Sequence, residues 1–320
     1  MGADAGGAMP PADLPESAIL PAVSKPSPSK ARPSISIVGP GNLGTALALT
    51  LPSAGYDVKF LATRHKRAHV RALARKIQAQ LVAPGEQALT TDIVWITVPD
   101  DAIAGVARLL ARSQEWKGKL VFHSSGALTS DELSPLRAKG ARVASVHPMM
   151  TFVRATVPEM AGIAFAIEGD ATTTRVARSV VADLGGRAFV IKGQSKVLYH
   201  VFGSFASPLV IALMASLEQV ARAAGIRQSE IKRVMEPLLS QTLRNYLNQD
   251  AASAFSGPLV RGDVATVRKH LAELRKLPEA RAVYVALARA SLNFLPVRNR
   301  ELLEKELKSA ERAVKSIRKP

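Results

Sequence analysis

The stretch SISIVGPGNLG at residues 34–44 decides the fold of this chain. It begins with a short run rich in β-branched residues, which is typical of a strand, and it ends in a G-x-G-x-x-G turn. The next five residues, TALAL at 45–49, are typical of the first turns of a helix. A strand, a glycine turn and a helix start in this order form the fingerprint of a dinucleotide-binding fold.

Each glycine of this turn has a physical role in the predicted site. Gly39 makes the tight turn, Gly41 lets the backbone approach a pyrophosphate, and Gly44 lets the helix pack closely against the strand. The helix start that includes Asn42 and Leu43 would present free backbone N–H groups and the positive end of the helix dipole to the phosphates. A bare motif of this kind occurs often by chance, but its position between a strand and a helix makes it a specific signal.

Length, charge and cysteine content limit the classes of protein to consider. A chain of 320 residues suits about two domains. The absence of cysteine excludes disulfides, thiolate metal sites and a cysteine nucleophile. The net charge of +17 is compatible with nucleic-acid binding, but only 5% of the residues are aromatic and they are not interleaved with basic ones. We therefore expect no nucleic-acid partner.

The two ends of the chain differ from its body. Residues 1–33 are rich in Pro, Ala, Gly and Ser and lack the apolar core of a secretory signal, so a disordered leader on a cytoplasmic protein is predicted. Residues 298–320 mix basic and acidic residues along one helical pattern and are predicted to be a basic helical tail. No stretch of 18 apolar residues lacks charge, apart from parts of one long predicted helix, so no membrane span is expected.

Predicted strands and helices alternate between residues 34 and 192. After the first strand, further strands are predicted at 58–63, 93–98, 119–122, 142–146, 162–168 and 187–191, with helices at 65–77, 101–111, 129–139 and 172–184. This alternation predicts an α/β fold with a doubly wound, mostly parallel Rossmann sheet. Later helices are predicted at 194–224, 227–248, 263–276 and 279–294. An all-α domain is therefore expected from residue 193 to residue 297.

The end of the second strand indicates which dinucleotide would bind. NAD-binding versions carry an acidic residue about 20 residues past the turn, where it accepts hydrogen bonds from the ribose 2′-OH. This chain has Thr63 and Arg64 there, and no carboxylate between Asp57 and Glu86. A 2′-phosphate would find a hydroxyl donor in Thr63 and a planar, bidentate partner in Arg64, so the sequence favours NADP over NAD. The alternative is that these residues form only the solvated face of a surface helix.

Ligands of open α/β sheets lie beyond the carboxyl ends of the strands. The residues expected at those ends are Val98, Pro99, His123, Ser124 and His147. Val98 and Pro99 would line the nicotinamide, and Ser124 would donate to its carboxamide or to a substrate. The two histidines can exchange protons near neutral pH, which makes them weaker candidates for substrate contacts. The alternative for each histidine is a hydrogen bond to loop backbone only.

The long helix from residue 194 carries a polar stripe. Lys196, His200, Gly203 and Ser207 are spaced at i, i+4, i+7 and i+11, so they share one face. Their neighbours are apolar, which predicts that the stripe faces a polar crevice on an otherwise buried helix. Lys196 or His200 would protonate the atom that gains charge during hydride transfer, while Ser207 is a weaker candidate for substrate contact. The alternative is a lysine that reaches solvent and a histidine satisfied within the core.

Two later features complete the candidate site. Pro208 removes a backbone hydrogen bond and is expected to kink the long helix. Arg261, in the glycine-rich stretch SGPLVRGD at 256–263, would clamp a substrate carboxylate or would bond only neighbouring carbonyl groups. Asp263 is a natural cap for the helix that follows. No H-E-x-x-H or comparable ligand spacing is present, so no metal is expected.

The motifs GPGNLG, TVPDD, HSSGAL, SVHPMMTF, KVLYH and GPLVRGD together resemble the Rossmann-like proteins that carry a C-terminal domain of unknown function. That family is similar to pyrroline-5-carboxylate reductase and to the deazaflavin-dependent NADP reductases, and more distantly to the β-hydroxyacid and 6-phosphogluconate dehydrogenases. The resemblance implies an NADP-binding domain, an all-α dimerisation domain and a homodimer with the active site between domains. In the hydroxyacid relatives a lysine on the long helix is catalytic, which Lys196 matches, and an amide follows one turn later, where this chain has His200.

Two classes of function remain open from the sequence. The leading hypothesis is an NADP-dependent oxidoreductase that transfers a hydride between NADP(H) and a small carbonyl or imine substrate. The alternative is a non-catalytic NADP-binding sensor or interaction protein, which would keep the glycine turn and Arg64 but lack a competent proton donor. The substrate, the direction of reaction and the participation of a deazaflavin are left open.

Overall fold

A computed structural model describes residues 32–86, 88–153 and 159–317. The predicted leader 1–33 lies outside the described residues except for its last two. Arg32 contacts the Asp183 carboxylate and stacks over the Tyr56 ring, and thereby joins the start of the described chain to the first domain.

Eight strands form one sheet. They are β1 Ile35–Val38, β2 Val58–Ala62, β3 Gln80–Val82, β4 Ile93–Ile96, β5 Leu120–His123, β6 Arg142–Pro148, β7 Ala164–Gly169 and β8 Arg187–Val190. Their order is β3-β2-β1-β4-β5-β6-β7-β8. All neighbours pair in parallel except β6 and β7, which are antiparallel. The predicted doubly wound, mostly parallel sheet is confirmed, with the short edge strand β3 as an addition.

Five helices cover the faces of the sheet. They are α1 Asn42–Thr50, α2 Ala68–Lys76, α3 Asp100–Leu110, α4 Ser134–Arg137 and α5 Ala171–Asp183. We call β1–β8 with α1–α5 the sheet half. The helix predicted at 129–139 is wrong in extent, because a 3₁₀ turn at Ser130–Leu133 precedes a single α-turn. Pro135 has no N–H to continue a helix and is tolerated only in a first turn, where it lies here.

The central strands explain why this sheet forms. All four residues of β1 and all four residues of β4 are buried. Apart from Ser36, these residues are apolar, and such runs suit parallel strands that are covered on both faces. One cluster, which includes Ile37, Leu47 and Trp95, packs on one side, and a second, which includes Ile96 and Val121, packs on the other. The sheet half is therefore a three-layer structure with two apolar cores, and the carboxyl ends of β1, β4, β5 and β6 lie side by side.

The rest of the described chain is helical. The helices are α6 Lys196–Ala206, α7 Pro208–Ala223, α8 Ile231–Asn248, α9 Ala251–Ala254, α10 Pro258–Arg261, α11 Val264–Glu273, α12 Pro278–Phe294 and α13 Arg300–Ile317. We call α6–α13 the helical half. The single helix predicted at 194–224 is divided at Ser207, which has non-helical φ and ψ, and Pro208 begins the next helix. Helix α13, the predicted tail, packs on α11 and α12 through buried Leu303 and Leu307.

The apolar side chains of α6, α7 and α8 are exposed in the single chain. Of α6 only Lys196 is buried, and of α8 only Ile231, while α7 has no buried residue. The expectation of a buried long helix is therefore wrong for one chain by itself, although the face of α6 that carries Lys196 and Tyr199 contacts the sheet half. By length and composition one described stretch, Gly193–Ala223 with mean hydropathy 1.8, would suffice to cross a membrane, and its most apolar window is 0% buried.

Candidate active site

The glycine turn after β1 has the geometry that its sequence predicts. Gly39 has φ of +92°, and a Cβ there would lie 2.5 Å from Val98 Cγ1. A Cβ on Gly44 would lie 2.5 Å from both the Gly39 carbonyl oxygen and Thr97 Oγ1. Gly41 differs, because a Cβ there would meet nothing closer than 4.0 Å and the residue is exposed. Gly39 and Gly44 are thus required by the fold, whereas Gly41 leaves open a surface that a ligand can approach.

Within the described residues, no side chain accepts a hydrogen bond from the first N–H groups of helix α1. Its first turn has no acidic residue, and no side chain caps it. The bond from Thr45 N to the Gly41 carbonyl, at 2.8 Å, opens the helical ladder, so the N–H groups of residues 42–44 precede it. The Asn42 side chain points away and donates to the Phe152 carbonyl at 2.8 Å, and the Leu43 side chain packs on the core. The backbone at 42–44 therefore offers an anion site of the kind that holds a pyrophosphate.

A cavity of about 420 Å³ lies next to this turn at the ends of β1, β2 and β4. It is lined by Gly39, Thr63, Arg64, His65, Val98 and Pro99, among others. The Thr63 hydroxyl oxygen accepts from His65 N at 3.2 Å. The exposed Arg64 guanidinium forms no ion pair or hydrogen bond within the described part of the chain. The predicted cofactor residues of β2 and β4 thus share one cavity, and Arg64 has its donors unused.

Ser124 and His123 have different surroundings at the end of β5. Ser124 Oγ accepts from Trp95 Nε1 at 2.8 Å, which leaves its hydroxyl proton for another acceptor. His123 is fully buried, with Nε2 2.9 Å from the Thr129 carbonyl and Nδ1 accepting from Ser125 N at 3.1 Å. Burial lowers the pKa of His123 to about 4. Both ring nitrogens of His123 therefore bond loop backbone, the arrangement expected of a residue that shapes the loop.

Lys196 reaches from α6 into the sheet half and is fully buried. Its Nζ donates to Ser145 Oγ at 2.7 Å and to the Ser125 carbonyl at 3.1 Å. Burial lowers the pKa of this ammonium to about 8, against the opposing attraction of Glu168 and Asp100. The lysine thus lies beneath the cleft rather than in it, and it joins α6 to the loop after β5 and to strand β6.

Two histidines from different halves meet above Gly126. A Cβ on that glycine would lie 2.8 Å from His147 Nε2 and 2.9 Å from His200 Cδ2. His147 Nδ1 lies 2.9 Å from the Tyr199 hydroxyl, and their rings meet edge to face. Burial, followed by the charges of Lys196 and His200, lowers the pKa of His147 to about 4, and burial raises the pKa of Tyr199 to about 12. The structure therefore brings His147 and His200 together and adds Tyr199, which was not predicted from the sequence.

The remaining predicted residues lie at increasing distance from this cluster. Gly203 packs on the loop after β6, where a Cβ would meet Met149 Sδ at 2.8 Å. Ser207 is the junction between α6 and α7. Arg261 is exposed at the end of α10, which packs on α11, and its side chain donates no hydrogen bond within the described residues. No group of three or more His, Asp or Glu side chains that could hold a metal occurs in the described chain.

Two family models match consecutive parts of the sequence. Residues 21–148 match a Rossmann-like domain, and residues 163–291 match DUF2520, a domain of unknown function. The chain carries a Rossmann-like domain followed by a DUF2520 domain. The gap between the two matches falls between β6 and β7, so the DUF2520 match includes the last two strands of the sheet. No functionally curated protein is significantly similar to this sequence.

Solved structures resemble the whole arrangement at low sequence identity. A Bacteroides fragilis protein described as a candidate NADP oxidoreductase has a TM-score of 0.68 and 21% identity, over 81% of this chain and 97% of that one. An imine reductase from Myxococcus stipitatus in complex with NADP⁺ has a TM-score of 0.57 and 19% identity, over 89% and 95%. The Plasmodium falciparum pyrroline carboxylate reductase with NADP bound has a TM-score of 0.53 and 14% identity, over 90% and 99%. These likenesses extend through both halves and identify the fold.

Proposed function

We propose that this protein is an NADP-dependent oxidoreductase that acts on a small carbonyl or imine compound. The observation that supports this most strongly is the uncapped start of α1 beside a cavity that Thr63 and Arg64 line. A helix start without an acidic residue favours a pyrophosphate, and an unused guanidinium beside the same cavity favours a further phosphate. The NADP-bound structures of similar fold agree with this choice of cofactor.

The preference for NADP over NAD follows from the charge around Arg64. No carboxylate occurs between Asp57 and Glu86, so the end of β2 lacks the acidic acceptor that NAD-binding versions use for the ribose 2′-OH. A dianionic 2′-phosphate would gain charge-assisted hydrogen bonds from Arg64 and Thr63. His65 lines the same cavity and is a possible third donor.

The hydride-transfer site would lie where β4, β5 and β6 end. When bound, NADPH supplies the hydride. Neighbouring strands are about 4.8 Å apart, so a cofactor anchored at β1 would extend its nicotinamide past Val98 and Pro99 toward Ser124. Ser124 has a hydroxyl proton to donate, because its oxygen already accepts from Trp95. The substrate would then lie between this edge and α6.

We retain Lys196 and His200 as proposed contributors to catalysis. Lys196 would act from beneath the cleft, since its ammonium is bonded to Ser125 and Ser145 and its charge favours an atom that becomes negative. His200 lies at the cleft surface beside His147. Ser207 and Arg261 stay weaker proposals for substrate contacts, and Arg261 has unused donors for an anionic group.

A second copy of the chain would cover the exposed apolar helices. Helix α8 is 18 residues long yet buries only Ile231, and an isolated helix of that length is marginal in water. Its exposed apolar residues are Val234, Leu238, Leu243, Tyr246 and Leu247. A groove of about 670 Å³ between α7 and α12, lined by residues such as Leu217 and Tyr284, offers an apolar surface of the kind that α8 of a partner would fill. We therefore propose a cytoplasmic homodimer through the helical half, with no membrane or nucleic-acid partner.

A binding and turnover experiment tests the proposed function. Purified protein should bind NADPH more tightly than NADH, and it should consume NADPH with at least one member of a panel of keto acids, ketones and cyclic imines. Failure to bind either cofactor would remove the proposal. Tight NADPH binding without turnover of any substrate, deazaflavin included, would favour the alternative of a non-catalytic NADP sensor.

A further inference from the structure

His147 has one ring nitrogen engaged and one directed into the cleft. Nδ1 lies 2.9 Å from the Tyr199 hydroxyl. Nε2 lies above the Gly126 backbone, where the glycine leaves space that a Cβ would fill. Within the described residues Nε2 has no hydrogen-bond partner, and it is not fully buried. It is therefore accessible from the cleft between the sheet half and α6.

The relative acidities of Tyr199 and His147 determine which nitrogen of the His147 ring carries its proton. A phenol is a stronger acid than a neutral imidazole, and an imidazole nitrogen is a good acceptor. In the described part of the chain Nδ1 is the hydrogen-bond partner of the Tyr199 hydroxyl, and we assign the phenol as the donor because it is the stronger acid. When Tyr199 donates to Nδ1, a neutral imidazole must carry its own proton on Nε2. The pair thus presents an N–H donor to the cleft.

The charged groups around His147 determine what this donor can bind. Lys196 and His200 on α6 disfavour a second positive charge, and Asp100 opposes them while it accepts from Ser125 Oγ at 2.7 Å. The pKa of His147, lowered to about 4, keeps the imidazole neutral at pH 7. The same field disfavours a cationic substrate atom at Nε2 and favours an atom that gains negative charge.

We propose that His147 is a catalytic residue whose Nε2–H hydrogen-bonds the oxygen of a neutral carbonyl substrate, with Tyr199 as the positioning residue that fixes this tautomer. This inference rests on the proposed NADP-dependent function. As the hydride forms a C–H bond at the carbonyl carbon, the C=O π pair moves to oxygen. The oxygen takes the Nε2 proton and Nδ1 takes the Tyr199 hydroxyl proton. An alkoxide is a stronger base than a phenolate, so this transfer is favourable. After the product leaves, Nε2 regains a proton from water while Nδ1 returns its proton to the Tyr199 phenolate.

The substrate class follows from this arrangement. A protonated imine is already a cation, so it needs no proton and would meet Lys196 as a like charge. A ketone or keto acid instead develops negative charge at the atom that Nε2–H would contact. Carbonyl compounds are therefore expected to be reduced at least about tenfold faster than cyclic imines of the same size. This ratio corresponds to a difference of about 1.4 kcal/mol in the activation free energy.

The tautomer is tested without cofactor or substrate. Nitrogen-15 NMR of the histidine rings at pH 7 should show His147 with its proton on Nε2, and the Tyr199→Phe variant should lose this preference. The chain contains a matched control, because His270 Nδ1 lies 3.1 Å from the Tyr284 hydroxyl in the helical half. Tyr284→Phe should change the His270 signals and leave those of His147 unchanged. A wild-type His147 with its proton on Nδ1 would overturn the proposal.

Kinetics test the role of the Nε2–H donor. His147→Leu should lower kcat on a ketone by about 10²-fold, the usual contribution of a positioned proton donor, with the NADPH Kd within about twofold. His147→Gln places an amide N–H near the position of Nε2 and should recover part of this loss. Tyr199→Phe should lower kcat by about tenfold. A His147→Leu enzyme with wild-type kcat would overturn the proposal.

The outcomes separate this inference from the proposed function. Faster reduction of cyclic imines than of ketones would overturn the carbonyl assignment and leave an NADP-dependent reductase in place. Failure of the wild-type protein to bind NADPH would remove both. NADPH binding without any turnover would remove the catalytic role of His147 and leave only its tautomer, which the NMR experiment measures independently.

Discussion

The two halves of this molecule differ in how completely one chain covers its own apolar surface. In the sheet half, apolar clusters fill both sides of β1 and β4, and those strands have no exposed residue. In the helical half, Leu198 is 75% exposed and Leu238 is 71% exposed. One chain therefore buries the apolar residues of β1 and β4 in the sheet half, whereas it leaves apolar side chains of α6, α7 and α8 exposed. Substitutions in the sheet half should therefore lower the free energy of unfolding. Substitutions on α6, α7 or α8 should instead weaken association of two chains.

The largest effect is expected at Gly44, where α1 packs closely against Gly39 and Thr97. Gly44→Val should destabilise the protein by several kcal/mol, because even a Cβ would lie 2.5 Å from the Gly39 carbonyl oxygen. Urea unfolding at pH 7 measures the change. Gly41→Ala is the matched control, since its Cβ would meet no atom closer than 4.0 Å, and it should weaken NADPH binding while the free energy of unfolding stays near the wild-type value. Equal destabilisation by both would contradict this account.

The next effect is on association through the helical half. Leu238→Glu should raise the dimer dissociation constant by about 10³-fold, near 4 kcal/mol, since it would place a charge in the proposed apolar interface. Sedimentation velocity over a range of concentrations measures this. Leu302→Glu is the control, because Leu302 is also an exposed leucine, 56% exposed, but lies on α13 outside the proposed interface. A wild-type protein that sediments as a monomer, or that floats with lipid vesicles, would contradict the homodimer.

Acid should weaken the sheet half through His123 and His147. The pKa of His123 and that of His147 are both lowered to about 4, so the unfolded chain binds more protons between pH 4 and pH 6.5. Stability is therefore expected to fall as pH decreases through this window, by on the order of 3 kcal/mol for each histidine. Urea unfolding at several pH values measures how the free energy of unfolding changes with pH. His123→Asn should reduce this pH dependence, and His69→Asn, on the exposed side of α2, should not. An unchanged pH dependence in His123→Asn would count against the role of burial.

The exposed edge of the cofactor cavity is expected to act on specificity rather than on folding. Arg64→Asp should raise the NADPH Kd by about 10²-fold, near 2.7 kcal/mol, and should improve NADH binding, because the carboxylate repels a 2′-phosphate and accepts from a 2′-OH. Fluorescence titration with both cofactors measures the ratio. Arg75→Asp makes the same charge change on α2, outside the lining of the cavity, and should shift the ratio little. A variant that still prefers NADPH would disprove the assignment.

The smallest effect is expected at Gly105 in α3. A Cβ there would meet no atom within 4 Å, so Gly105→Ala should stabilise the protein by about 0.5–1 kcal/mol through helix propensity. Thermal unfolding without cofactor measures the gain. The residue also lines the cofactor cavity, so a loss of NADPH affinity in a more stable protein would show that the cavity holds the cofactor there.

Sequence patterns predicted those parts of the fold that depend on local chemistry. The strand at Ile93–Ile96 was predictable because a buried parallel strand is apolar throughout, and the glycine turn because each glycine has a separate steric role. Strand β3 has only three residues and one buried side chain, so it leaves no periodic signal. The break at Ser207 was expected only as a kink, since proline is tolerated both in a bent helix and in a first turn.

The candidate site was less predictable because it depends on which faces meet. Periodicity placed Lys196 and His200 on one helical face, but it does not indicate that the lysine passes beneath the cleft to Ser145. Tyr199 is three residues after Lys196 and four before Gly203, so the same spacing would have included it on that face. Its pairing with His147 depends on a distance between two halves of the molecule. An apolar stripe likewise does not show whether its own chain or a second copy covers it.

The reversal of direction between β6 and β7 has a consequence for how such proteins can be built. The DUF2520 match begins at residue 163, so the unit of sequence contains β7 and β8 together with most of the helices. If this unit were transplanted to another protein, it would bring β7 and β8. Its β7 would then need a host strand equivalent to β6 as its antiparallel partner. An unpaired strand edge promotes aggregation. Recombination between relatives is therefore expected to succeed only where β6 of the host matches β7 of the graft, so this one antiparallel pair decides whether the two matched domains can be combined.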